Sequence, residues 1–502
     1  MVGIQRGLLP CLALISIFLV QTRTAHSFEA QFGVSPDNNQ DLLFSVLKNA
    51  KKSLLINIYE FANPTVAEEV IKKIQEGVCT HILIEGDPVG GIGQESVQLL
   101  ETITTAMQVA QTLPSAGKRS RNEFEGKACH QALILPPQKD LSAGIKKRFR
   151  FNHAKYVVAD GETSLISSEN FSANGHPNPG RKGTRGWDIV IEGSELAQQL
   201  TQLFESDTSL ELPDVKSLDL ALIAKMKEKW NVQKAEPSAD VRLESEKQPA
   251  NLGPTNHSIP SLEPAASEGD LVRKTPTRPK GTGNVEKATL ITSPNSAPAL
   301  RQIISESQRR IDLNFMSLPK DSYILGTLVE AARRGVNTRL LLNDGKSFGA
   351  NGKGKPILAA ADAQKRPSWQ PKIDPQVLTA QFALRLAHCD HLPLDARIID
   401  TRAAEITYIH NKGMIVDEEK VLVSSINGTQ NSMDNNREVA VLVQSPDAAR
   451  YYGEFFELDW SRSPAMSISE DLVKYPCHHE LVQPAAAGPE GFFPVPDLMG
   501  AK

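Results

Sequence analysis

Hydrophobic positions along the chain fall into three regimes. From Leu8 to Val20 they run almost unbroken behind Arg6 for about 13 residues, short of the roughly 20 that span a bilayer as a helix. The small residues of Ala25-His26-Ser27 follow, the layout of a secretory leader with cleavage before Phe28. Secretion or export to a periplasm is therefore expected, an uncleaved anchor being the alternative. Beyond it, strand-length apolar stretches alternate with helical periodicity in two long regions. Between those regions the pattern disappears: no aromatic residue stands between Trp230 and Phe315, and seven prolines lie between Pro237 and Pro279. Such a segment buries too little apolar surface to offset its ordering entropy. The expected organisation is a leader over 1–27, a first lobe over 28–231, a flexible linker over 232–285, a second lobe over 286–475 and a tail over 476–502.

The two lobes read as copies. Ser35-Pro36 opens a helical pattern, followed by the apolar strand Leu54-Leu55-Ile56-Asn57-Ile58, a helix through Val70 and Ile74 that stops at Gly77, and the strand His81-Ile82-Leu83-Ile84. The same order returns 257 or 258 positions later as Ser293-Pro294, Ile311 to Phe315, a helix through Leu328 and Ala332, Gly335, and Arg339 to Leu342. Tandem duplication explains a constant offset better than coincidence. Alternating strands and helices argue for an α/β fold in which each lobe is a mixed sheet flanked by helices.

Each copy also carries a polar signature. His153-Ala154-Lys155, Asp160 and Ser167-Ser168-Glu169-Asn170 recur with the same spacing as His410-Asn411-Lys412, Asp417 and Ser424-Ser425-Ile426-Asn427. Period-two alternation along strands running Arg148 to Val158 and Ile406 to Val416 would put each His on the same face as its Lys. A phosphodiester is an anion that repels nucleophiles, so its site must neutralise oxygens and then hold further charge. Lys155 and Lys412, with donors from Ser168, Asn170, Ser425 and Asn427, would form that cradle. An imidazole titrating near about 6.5 can attack while its twin delivers a proton, giving a phosphohistidine that water or an alcohol resolves. Each imidazole also needs a carboxylate to fix its tautomer. The candidates are Glu438, 28 residues after His410, and Asp188, 35 after His153.

Composition changes this picture little. A net charge of −4 gives no global bias toward nucleic acid or an anionic membrane. Local clusters, Lys146-Lys147-Arg148 with Arg150 and Arg181, Lys182 and Arg185, could attract a head group or a nucleic-acid backbone, or form a solvated face. Phe492-Phe493 in the tail could touch a membrane or pack on a lobe. Cys79, Cys129, Cys389 and Cys477 remain after the leader; pairing within each lobe is the simplest arrangement, free thiols the alternative. His388-Cys389-Asp390-His391 and Cys477-His478-His479 have metal-ligand residue types without a zinc spacing, so no metal site is expected.

The paired pattern H-x-K-x4-D-x6-[GS]-S-x-N resembles the phospholipase D superfamily, which includes phospholipases D, cardiolipin and phosphatidylserine synthases, metal-independent nucleases and tyrosyl-DNA phosphodiesterases. The resemblance covers roughly 30 to 230 and 286 to 465, with matching helix ends at Phe204-Glu205-Ser206-Asp207 and Phe456-Glu457-Leu458-Asp459-Trp460. It implies lobes related by a pseudo-twofold axis, one active site at their interface, and no metal or cofactor. It also implies His153 as nucleophile, His410 as acid, and structural roles for Asp160 and Asp417. Ser167 and Ser424 stand where the family commonly has Gly, and Asp188 where a longer Glu is usual. The expected protein is an exported, monomeric phospholipase D-like phosphodiesterase of phospholipids, hydrolysing or transferring, in peripheral contact with a membrane. A secreted nuclease and a catalytically silent phosphate- or lipid-binding module are the alternatives.

Overall fold

The computed structural model describes residues 27–112, 129–235, 272–343, 375–468 and 477; most of the leader, residues 236–271 and Phe492-Phe493 lie outside them. Both sheets grow from one unit. In the first lobe Ser53–Ile58 and Cys79–Glu85 are buried end to end and pair in parallel, with helix Pro64–Gln75 between them in sequence. A strand buried on both faces is apolar on both, which is why Leu54-Leu55-Ile56 reads as a run. Asn63 caps the helix by accepting from the Thr65 and Val66 N–H groups, and the chain leaves it through Gly77 at φ 84°, a left-handed conformation that costs glycine little. The second lobe repeats the unit with Arg310–Phe315, helix Tyr323–Arg333 capped by Ser322, Gly335 at φ 92° and Asn337–Leu342.

The nine-stranded sheet has the spatial order Lys216–Ser217, Gln131–Leu135, Cys79–Glu85, Ser53–Ile58, Lys155–Ala159, Thr163–Ser167, Gly186–Glu192, Phe28–Ser35, Gly281–Val285. The seven-stranded sheet runs Leu394–Ile398, Asn337–Leu342, Arg310–Phe315, Lys412–Val416, Lys420–Ser424, Glu438–Gln444, Lys287–Ser293. Those seven match the inner seven of the first sheet one for one, with parallel and antiparallel pairs in the same places. The edge strand Gly281–Val285 corrects the expected linker, since it lies within 232–285 yet pairs with Phe28–Ser35 and buries Val285. Backbone pairing needs no apolar side chains, and its glycines are required: a Cβ on Gly283 would lie 2.4 Å from Cβ of Asp447. Helix Leu220–Ala235 likewise runs past the expected boundary at 232.

The lobes share one apolar core. Trp187 of the first stacks on Tyr452 of the second at 4.7 Å, and Gly413 leaves room for the indole, its absent Cβ falling 2.5 Å from Trp187. Two ion pairs cross the interface in a twofold-related way, the first of them fully buried. The Arg185 guanidinium donates to both carboxylate oxygens of Asp459, at 2.7 and 3.0 Å, and to the Ser35 carbonyl. Arg437 donates to Asp207 at 2.9 Å and to the Ser293 carbonyl. Several of the supposed surface cations are thereby accounted for internally: besides Arg185, Arg148 binds Asp214 and Lys147 binds Glu85. Cys389 and Cys477 form a disulfide, which commits two of the metal-ligand residue types, whereas the Cys79 thiol donates to the Cys129 carbonyl.

Removing one member of a buried pair leaves an uncompensated charge. Asp459→Ala should therefore lower unfolding free energy by about 3 kcal/mol, read from the denaturant midpoint. Arg185→Met with Asp459→Leu should recover part of that loss, because it removes both of these charges while buried Asp37, which also pairs with Arg185, keeps Arg273. Glu454→Ala, at an exposed side chain, should stay within about 0.5 kcal/mol of wild type.

Candidate active site

Each signature histidine sits just outside its own sheet. The expected strands are shorter than the sequence alternation suggests, beginning only at Lys155 and Lys412. The preceding residues turn to the opposite lobe instead. The His153 N–H donates to the Arg437 carbonyl and the Arg437 N–H to Phe151; the His410 and Asn411 N–H groups donate to the Arg185 carbonyl and the Arg185 N–H to Tyr408. Both imidazoles are thus hung on the interface by backbone bonds from the other copy.

The carboxylates are exchanged in the same way, which corrects the expected pairings. Glu438 serves not His410 but His153, its Oε2 lying 2.7 Å from Nδ1. Glu438 is fully buried and also accepts from Ser425 Oγ at 2.7 Å, Ser432 Oγ at 2.5 Å and Asn436 Nδ2 at 2.9 Å. Asp188 reaches neither signature histidine. It accepts from Ser167 Oγ at 2.6 Å and lies 3.0 Å from Nε2 of His176, whose Nδ1 is 3.0 Å from the Asn170 carbonyl. His176 is held above its ordinary pKa, because the Asp188 charge and hydrogen bond outweigh its burial. The carboxylate next to His410 is Glu169, with Oε2 3.0 Å from Nδ1 though off the hydrogen-bond line. Neither Glu169 nor His176 stands out from its sequence context. The available signal for the first was an acidic residue at the x position of Ser-Ser-x-Asn, where the other copy has Ile426.

Lys155 and Lys412 are buried, and each ammonium donates to the carbonyl of its own signature histidine. Lys155 also lies 5.2 Å above the Tyr59 ring, which meets His153 edge-on at 4.7 Å; Lys412 instead reaches Met316 Sδ at 3.4 Å. The serines are tied to the frame around the site. Ser168 accepts from the Trp187 N–H and Ser425 donates to Glu438, so both hydroxyls brace the frame around the site. Asn170 and Asn427 are half-buried; Asn170 donates to Glu60, while the Asn427 N–H is held by Ser432. Asp160 and Asp417 stand at left-handed turns with φ 57° and 56°, and collect backbone N–H groups of Lys51 to Ser53 and of Gln308 to Arg310.

Burial dominates the electrostatics. It pushes His153 down to about 4 against the opposing pull of Glu438, with Lys155 and Lys412 adding to the fall. Burial likewise takes His410 well below its ordinary value, helped by Lys412, Lys155 and His153. His153 beside Glu438 of the second copy, and His410 beside Glu169 of the first, put both imidazoles at the lobe interface. Lys412 is lowered to about 7 and Glu169 raised to about 7, both chiefly by burial. The outcome is two neutral imidazoles, with Nδ1 of His153 tied to its carboxylate so that Nε2 presents a lone pair, beside two readily deprotonated lysines.

The family model described as "Cardiolipin synthase, PLD-like domain" matches residues 43–208 and 300–460, one stretch in each lobe. The crystal structure of phosphatidylserine synthase from Haemophilus influenzae Rd KW20 superposes with a TM-score of 0.53 at 13% identity, covering 88% of this chain and 89% of that one. Nuc from Salmonella typhimurium, a phospholipase D family member, is 18% identical over 36% of this chain and 97% of its own, with a TM-score of 0.26. No curated protein sequence matches the chain. A family model spanning most of both lobes and a signature present twice make this chain a member of the phospholipase D superfamily, in its cardiolipin synthase-like branch.

Proposed function

We propose that this protein is an exported phosphodiesterase that hydrolyses phospholipids or transfers their phosphatidyl groups through a phosphohistidine. The observation that carries the reading is the crossed pair of imidazoles, each beside a buried carboxylate, next to two buried lysines. Nε2 of His153 attacks phosphorus while the bond to the leaving alkoxyl oxygen breaks, and that oxygen takes a proton from His410. His410 then removes a proton from water or an alcohol as its oxygen displaces His153. The phosphodiester's own charge, bound against His410, favours the proton that the first step needs. Lys155 and Lys412 stabilise the charge developing on the phosphoryl oxygens, and low permittivity strengthens that effect. Asn170 and Asn427 are the remaining amide donors at this cluster.

A lipid substrate is favoured over nucleic acid by the family description and by the scarcity of aromatic residues for base stacking, 6% of the chain. Export rests on the apolar segment Leu8 to Val20, and a monomer on the presence of both copies in one chain. Peripheral membrane contact would follow from a bilayer substrate; among the described residues no helix is long and apolar enough to cross one.

Purified protein incubated with chelator should release choline or glycerol from phosphatidylcholine or phosphatidylglycerol and leave plasmid DNA intact. Nicked DNA with untouched lipid would favour the nuclease. His153→Ala should lower kcat by at least about a thousandfold. A silent binding module would show no turnover in either form.

A phosphodiester with a p-nitrophenol leaving group needs no acid to expel it. With that substrate His410→Asn should accumulate an acid-labile phosphoryl adduct on His153, visible by intact mass, because no base remains to activate water. The ionisations also set a pH response. His153 becomes neutral as pH rises through about 4, and Lys412 loses its charge above about 7, so kcat/KM should rise through the first value and fall beyond the second.

A further inference from the structure

The strand registers show which positions correspond in the two copies. Ser293 pairs with Glu438, and its counterpart Ser35 pairs with Gly186. Ser424 pairs with Ala440, and Ser167 with Asp188. The Ser425 N–H donates to the Val439 carbonyl, the Ser168 N–H to the Trp187 carbonyl, and the two histidine N–H groups to the carbonyls of Arg437 and Arg185. Residue by residue, the counterpart of Glu438 is therefore Gly186, and that of Ala440 is Asp188. The first copy has no side chain where the second has its orienting carboxylate.

The space is filled from elsewhere. A Cβ on Gly186 would lie 1.9 Å from Oε1 of Glu169 and 2.5 Å from its Cδ, so the Glu169 carboxyl occupies the volume that a residue 186 side chain would take. Gly175 clears the other side, its absent Cβ falling 3.1 Å from Oε2. Ile426, the counterpart of Glu169, packs in the apolar core of the second lobe. Thr184 corresponds to Asn436, which donates to Glu438, whereas the Thr184 hydroxyl donates to the Asn174 carbonyl. Placing a carboxylate at a position that suits isoleucine carries a desolvation cost unless charged partners offset it, and Lys412, His176 and Lys155 supply them.

We propose that Glu169 is the positioning residue for His410, having taken over from the Gly186 position the task that Glu438 performs for His153. In its catalytic consequence this rests on the function proposed above. The pairs Glu169 with Gly186 and Ile426 with Glu438 are reciprocal, so the exchange is reversible by substitution. Asp188 has no part in it, being held by Ser167 and His176.

The test compares Glu169→Ile, Glu169→Gln and the double variant Glu169→Ile with Gly186→Glu, which rebuilds the second-copy arrangement in the first. With the p-nitrophenyl phosphodiester as probe, Glu169→Ile should lower kcat at least about a hundredfold with little change in KM, on the scale expected when a histidine loses its orienting carboxylate. The double variant should return to within about tenfold of wild type, as a merely structural role for Glu169 would not allow. In parallel, 15N spectra assigned with His410→Asn should show His410 protonated at Nδ1 in wild type and in the double variant, and a tautomer mixture in both single variants. That readout needs no turnover, so an inactive wild type would overturn the function and leave this inference to the spectra. Single variants with wild-type tautomer and rate would sink it. So would a folded double variant that recovers neither.

Discussion

A buried imidazole acts as a nucleophile or base at one nitrogen only when the other is committed, and for His153 that commitment is a hydrogen bond made across the lobe interface. Glu438 reaches out of the second copy to His153, and Glu169 out of the first to His410. The backbone repeats the exchange, since each histidine N–H is held by the carbonyl of an arginine in the opposite copy. Those arginines are themselves fixed by carboxylates across the same interface, Asp459 and Asp207. Neither lobe alone holds a complete site. The duplication is thus part of the chemistry.

Burying two lysines, two histidines and two glutamates together is costly unless each charge meets an opposite one. The cluster meets that condition with rigid neighbours: strands that begin at the lysines, serines spent on carboxylate and backbone, and aspartates that gather amides at the turns. Burial then lowers the histidines and lysines and raises Glu169. These shifts favour the uncharged forms of the histidines, the lysines and Glu169, whereas Glu438 is lowered, its burial outweighed by His153, Lys155 and Asn436.

The copies have kept the interface and diverged around it. Lys155 lies over Tyr59 where Lys412 meets Met316. The insert in the first copy carries His176, which with Asp188 clamps the Asn170 backbone, and no comparable clamp is needed where Ser432 holds Asn427. The carboxylate for His410 moved from one strand to the neighbouring turn, and glycine opened the space it required.

The linear chain by itself determined the duplication, the order of strands and helices, and the residue types of the chemistry. Those follow from local periodicity and fixed spacing, which survive in one dimension. Which carboxylate faces which histidine was decided only in the tertiary structure, because the partners lie 285 residues apart for His153 and Glu438 and belong to different copies. Spacing after each histidine pointed to Asp188, whereas strand register put glycine at the decisive position and freed that space for Glu169. The same limit applied to the edge strand Gly281–Val285, whose polar, Gly-rich sequence gives no hydrophobic signal because its stability comes from backbone pairing with Phe28–Ser35. Contacts made through backbone atoms or between distant copies leave no local pattern to read.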